Sequence, residues 1–142
     1  METLATEVLL EVSLYISGRT MSIDDVSLAL GAAASKATLR GTPRTRAPDA
    51  PVYNTTTWQL ARKSRHADVS NELLALLQQI KSNVRPGELK NVDEAFVDVF
   101  MAQTVANGTL GSSIECELSP EALDALSRLG APVRFSMCNV EP

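Results

Sequence analysis

Between residues 7 and 17 apolar and polar side chains alternate, with Leu9 the one exception. Val8, Leu10, Val12, Leu14 and Ile16 fall on one face, and Glu7, Glu11, Ser13 and Tyr15 on the other. Side chains of an extended chain point to opposite faces in turn, so this pattern predicts a strand with one face on a core and one toward water. Such strands belong to antiparallel sheets covered on one side; a strand buried in a parallel sheet reads as apolar on both faces. Gly18 ends the run. The rest of the chain therefore has to supply helices for one side of a sheet.

It does so three times. Ser22, with Asp25 three residues on, resembles a capping box before the apolar positions Ile23, Val26 and Leu30, and Gly31 follows as a stop, which predicts a helix over 23–30. Val69, Leu73, Leu76, Leu77 and Ile80 recur at helical spacing and predict a helix over about 68–81. Ser119-Pro120-Glu121 combines a capping serine, a proline where no amide donor is missed and an acid at the positive end of the helix dipole. Ala122, Leu123, Leu126 and Leu129 form the apolar face of that third helix, and Gly130 closes it.

Strand signals fill the intervals. Residues 36–40 can form a short strand, and 55–61 is β-branched and aromatic around Trp58. Residues 96–105 and 114–118 read as two strands joined through Asn107-Gly108, and Val133, Phe135 and Met137 alternate in a last one. The stretch 41–51 has no period, and its three prolines remove backbone donors, so a flexible loop is expected over about 41–54. The expected fold is an α+β two-layer sandwich: a mostly antiparallel sheet of five or six strands, three helices on one face and ferredoxin-like elements.

The chain has 142 residues, 44% of them apolar and 21% charged. That suits one domain over 1–142, able to bury roughly two-thirds of its unfolded surface without a staple. No run approaches the ~18 apolar residues of a membrane helix, so no membrane partner is expected. The acidic start Met1-Glu2-Thr3 lacks the basic-then-apolar signature of a secretory leader. A cytoplasmic setting with Cys116 and Cys138 as reduced thiols is the resulting expectation.

These elements resemble the bacterial family known as domain of unknown function 4279. The residues that carry the resemblance are Ser13-Leu-Tyr-Ile-Ser-Gly18, Ile23-Asp-Asp-Val-Ser-Leu-Ala-Leu-Gly31, Arg40-Gly41, Trp58-Gln-Leu60 and the leucines at 73–77. Val97-Asp-Val-Phe100, Leu118-Ser-Pro-Glu-Ala-Leu123 and Leu126-Ser-Arg-Leu-Gly130 extend it to nearly the whole chain. The resemblance implies a bacterial or phage origin and a fold; it assigns no activity.

Charge is the most informative functional signal. Lys36, Arg40, Arg44, Arg46, Arg62, Lys63 and Arg65 fall within 33–66 against a single acid, Asp49, for a net +6; the remainder is −10, giving −4 overall. A basic segment in an acidic chain can steer an anion, and guanidinium forks suit phosphate or carboxylate. With six aromatics and an acidic balance, nucleic acid is a poor match.

His66, the only histidine, lacks metal-ligand spacing and any nucleophile elbow, so it reads as a loop residue beside that segment. Cys116 sits between Glu115 and Glu117, whose charge opposes thiolate formation. The pairs Glu7/Glu11 and Glu115/Glu117 each share a strand face and could serve acid–base chemistry only if buried. No cofactor, metal or catalytic residue is expected.

The leading expectation is a non-catalytic protein-interaction or regulatory module, comparable by analogy with immunity proteins that block a protein partner. Edge-strand pairing would also permit a homodimer. The first alternative is a binder of a small anionic ligand or nucleotide through 36–66; the second is a carboxylate-dependent hydrolase. Expected contact residues are Lys36, Arg40, Arg44, Arg46, Trp58, Arg62, Lys63, Arg65 and His66.

Overall fold

The alternating segment forms β1, Val8–Gly18, and every other part of the molecule is arranged around it. The structure is a computed structural model that describes residues 7–104 and 115–140. After β1 come α1 (Ile23–Leu30), β2 (Lys36–Thr38), β3 (Thr56–Ser64), α2 (Val69–Gln78) and β4 (Glu94–Thr104). A 3-10 turn at Pro86–Glu88 precedes β4, and α3 (Pro120–Leu129) and β5 (Val133–Val140) complete the chain.

Each helix starts as its sequence dictates, and α1 and α3 also stop as it dictates, whereas α2 ends at Gln78, short of the expected 81. Ser22 Oγ accepts from the Asp25 amide at 3.2 Å, Asp68 Oδ1 from Asn71 at 3.1 Å, and Ser119 Oγ from Ala122 at 3.1 Å. These contacts satisfy amide donors that a helix start otherwise leaves without partners. Gly31 and Gly130 end α1 and α3 at φ 69° and 72°, a left-handed conformation in which glycine carries no Cβ penalty.

The sheet order is β2-β3-β1-β4-β5. β1 pairs antiparallel with both β3 and β4, and β2 pairs antiparallel with β3. Consequently β1 and β2 run parallel with β3 between them, and β3 and β4 run parallel with β1 between them. These are two interlocked split β-α-β units, the ferredoxin-like arrangement. β5 then adds parallel to β4, with α3 as the connection. The fold is α+β with a five-stranded mixed sheet.

One face of the sheet is dry. Leu10, Val12, Leu14 and Ile16 from β1, Trp58 and Leu60 from β3, and Val97, Val99 and Met101 from β4 form one cluster. Val26 and Leu30 of α1, Leu73 and Leu76 of α2, and Leu126 and Leu129 of α3 close over it. All three described helices therefore serve the same face, as the alternation of β1 requires.

The expected strand over 114–118 is not formed: among the described residues 115–119 have no regular structure. Cys116 and Leu118 instead pack half-buried against the core as irregular chain. Apolar contact, not a backbone ladder, explains the alternation there, and Glu115 and Glu117 share no strand face. The expected turn at Asn107-Gly108 lies outside the described residues. The loop after β2 holds more pairing than its prolines imply. Gly41 and Tyr53, Tyr53 and Thr42, and Arg44 and Pro51 are joined by backbone hydrogen bonds of 2.9–3.0 Å. Proline still accepts through its carbonyl, and Pro51 does so here.

Candidate functional site

The second face of the sheet carries side chains that a core does not use. From β1 come Leu9, Glu11, Ser13, Tyr15 and Ser17; from β4 come Glu94, Phe96, Asp98, Phe100 and Ala102. Three of the chain's six aromatic residues, Tyr15, Phe96 and Phe100, thus lie on the face opposite the helices. Register places Tyr15 directly opposite Phe96, while Phe100, four residues further along β4, is opposite Glu11. The Tyr15 and Phe96 rings are 4.8 Å apart between centroids and tilted by 36°.

A polar frame holds these rings. The Arg134 guanidinium of β5 lies 3.8 Å above the Phe96 ring and also ion-pairs with Glu94. Partial burial, and then the nearby Glu94 charge, push the Tyr15 hydroxyl above its ordinary range, while a hydrogen bond with Ser17 works against them. Glu11 reaches Lys63 of β3 at 4.0 Å across the same face. Ser13 and Ser17, though on this outer face, are buried at the foot of the taller flanking residues. The result is a face on which half-buried aromatic rings and charged side chains cover two buried serines.

The basic segment does not form one patch. β3 separates Arg65 and His66 from Arg40, Arg44 and Arg46 by its own length, roughly 25 Å at ~3.3 Å per residue. Arg62 is tied to Glu72 at 3.0 Å and Lys63 to Glu11. Lys36 sits on β2 opposite Gln59. His66 is an exposed residue of the β3–α2 connection, its amide donating to Ser64 Oγ at 3.0 Å.

Trp58 must be removed from the contact set. It is 0% exposed, and its Nε1 donates to Ser27 Oγ at 3.0 Å. Its indole belongs to the core that joins α1 to β3.

At the other end of the sheet the structure adds a residue that sequence reasoning missed. Arg19, directly after β1, joins Arg40 along a cleft of about 420 Å³ whose walls include Tyr53 and Asn54. The signal available was its place after a strand-ending glycine, but nothing local linked it to residue 40. Among the described residues no group of three or more His, Cys, Asp or Glu side chains could hold a metal ion. No described helix is long and apolar enough to cross a membrane.

The geometry defines an α+β protein with a split β-α-β core, an appended α-β unit and a sheet face that none of the described helices covers. A family profile described as "Domain of unknown function (DUF4279)" matches residues 6–139, and the chain belongs to that family. No curated protein and no solved structure matches the chain.

Proposed function

We propose that the chain is a non-catalytic protein-interaction module that receives a protein partner on the sheet face opposite its three described helices. One observation carries this reading: Tyr15 and Phe96 are in ring contact there with Arg134 over the Phe96 ring, and Phe100 lies on the same face two side chains further along β4. Aromatic residues and arginine are enriched at the centres of protein interfaces, where they add contact area at low entropic cost. Glu11–Lys63 and Glu94–Arg134 provide a polar rim on two sides of these rings. The apolar area is modest, which suits a regulated or transient complex more than an obligate one.

The test compares the intact chain with a Phe96→Ser, Phe100→Ser double variant in the organism of origin. Both residues lie outside the core, so the variant should retain its circular dichroism spectrum and cooperative melting. A protein cross-linked to the intact chain should be lost from the variant and retained by Lys81→Gln. The purified pair should bind at least ten-fold more weakly through the double variant. Equal binding by both chains would refute the reading.

A further inference from the structure

Beyond the aromatic face, we infer that the Arg19–Arg40 cleft is a binding site for the phosphate monoester of a small polar molecule. The site is independent of the protein interface proposed above and lies at the end of the sheet where β1 finishes. Arg40 is held at two points, its amide donating to Thr56 Oγ1 at 3.1 Å and its Nη1 to the carbonyl of Arg19 at 3.5 Å, and the next amide, of Gly41, donates to Tyr53 O at 2.9 Å. Arg19 is held through its own amide, which donates to Asp93 Oδ2 at 2.9 Å. That carboxylate is engaged by backbone and forms no ion pair with the Arg19 side chain. Arg44 lies 5.5 Å over the Tyr53 ring and adds a third positive charge beside the same wall.

Acids outnumber bases by 17 to 13, so each arginine has ample potential partners. Arg62, Lys63, Arg85, Arg128 and Arg134 use one; among the described residues Lys36, Arg46, Arg65, Lys81 and Lys90 do not, but they are scattered over the surface rather than lining this cleft. Among the described residues Arg19, Arg40 and Arg44 form no ion pair, although the fold collects them in one place. Gathering cations without counter-charge is unfavourable, and a dianion relieves it. Two guanidinium forks present more parallel N–H donors than one carboxylate can accept, whereas a phosphate monoester offers three terminal oxygens. The cleft, about 420 Å³, matches the size of small-molecule sites, and Asn54 and Thr55 line it with groups suited to ligand hydroxyls.

The experiment titrates the full chain with ribose 5-phosphate, inorganic phosphate and ribose at about 0.15 M salt, by calorimetry and thermal melting. Ribose 5-phosphate should bind with a dissociation constant below about 1 mM and raise the melting temperature, and ribose should do neither. Arg19→Gln and Arg40→Gln should each weaken binding about ten-fold or more, with melting of the unliganded protein unchanged. Arg65→Gln, a charge loss at the far end of the sheet, and the Phe96→Ser, Phe100→Ser variant should bind as the intact chain does. Arg19→Lys should recover part of the loss, since it restores charge without the fork.

No binding of either phosphate below about 10 mM would overturn the assignment, as would equal weakening by Arg65→Gln, which would mark nonspecific attraction. A phosphoserine peptide binding more tightly than ribose 5-phosphate through the same two arginines would overturn the small-molecule class.

Discussion

Gly18 ends β1 directly beneath the backbone of Asn91. A Cβ placed there would stand 2.1 Å from the Asn91 carbonyl oxygen, and backbone cannot rotate away as a side chain can. Gly18→Ala is therefore expected to cost about 3 kcal/mol, read from chemical denaturation midpoints at unchanged slope. From the sequence Gly18 is only a stop signal; the segment that demands it lies more than seventy positions away. Trp58 teaches the same lesson in reverse. Its strand reads from Thr55 to Ala61, and the alternation of Thr57 and Gln59 with Trp58 and Leu60 assigns the indole to the apolar face; the enrichment of tryptophan at interfaces, a non-local argument, pointed the other way. Arg19 was missed because its site is completed by Arg40 from another strand connection.

At the level of elements, the local signals were legible and the non-local ones were not. Ser22, Asp68 and Ser119 cap the three helices because capping joins residues two or three apart. The parallel pairing of β5 with β4 has no such local signature, since it depends on α3 carrying the chain back across the sheet. The region after β4 was misread because Cys116 and Leu118 are half-buried without a strand partner. What organises that region is Ser70 of α2, whose hydroxyl donates to the Glu117 carbonyl at 3.0 Å and accepts from the Ser119 amide at 2.9 Å. One side chain thereby links the start of α2 to the start of α3. Ser70→Ala strands both backbone groups and should cost about 1–2 kcal/mol. Hydrogen exchange should localise the effect, with faster exchange at the Ser119 amide and an unchanged rate at Asp25; equal rates at Ser119 would refute it.

Across the whole molecule, charge was legible as a sum and illegible as a map. The +6 segment was evident, yet β3 divides it between two ends of the sheet. The sheet face opposite the described helices supplies a titration that reports on the intact tertiary structure. Tyr15 is raised above 10.0 by burial and then by Glu94, so the folded state retains its proton longer than the unfolded chain. This contribution to stability is complete below about pH 10 and is lost as pH rises through the folded value. Denaturation midpoints between about pH 9 and 11.5 should fall less steeply for Tyr15→Phe than for the intact chain.

The ladders also place Val8 beside Gln103, and Asn139 on the other flank of that same residue. Entry and exit of the described chain are therefore only two strand spacings apart, ~10 Å. A layout of this kind can be spliced into a surface loop of a host protein, or opened elsewhere after its ends are joined, without cutting any strand.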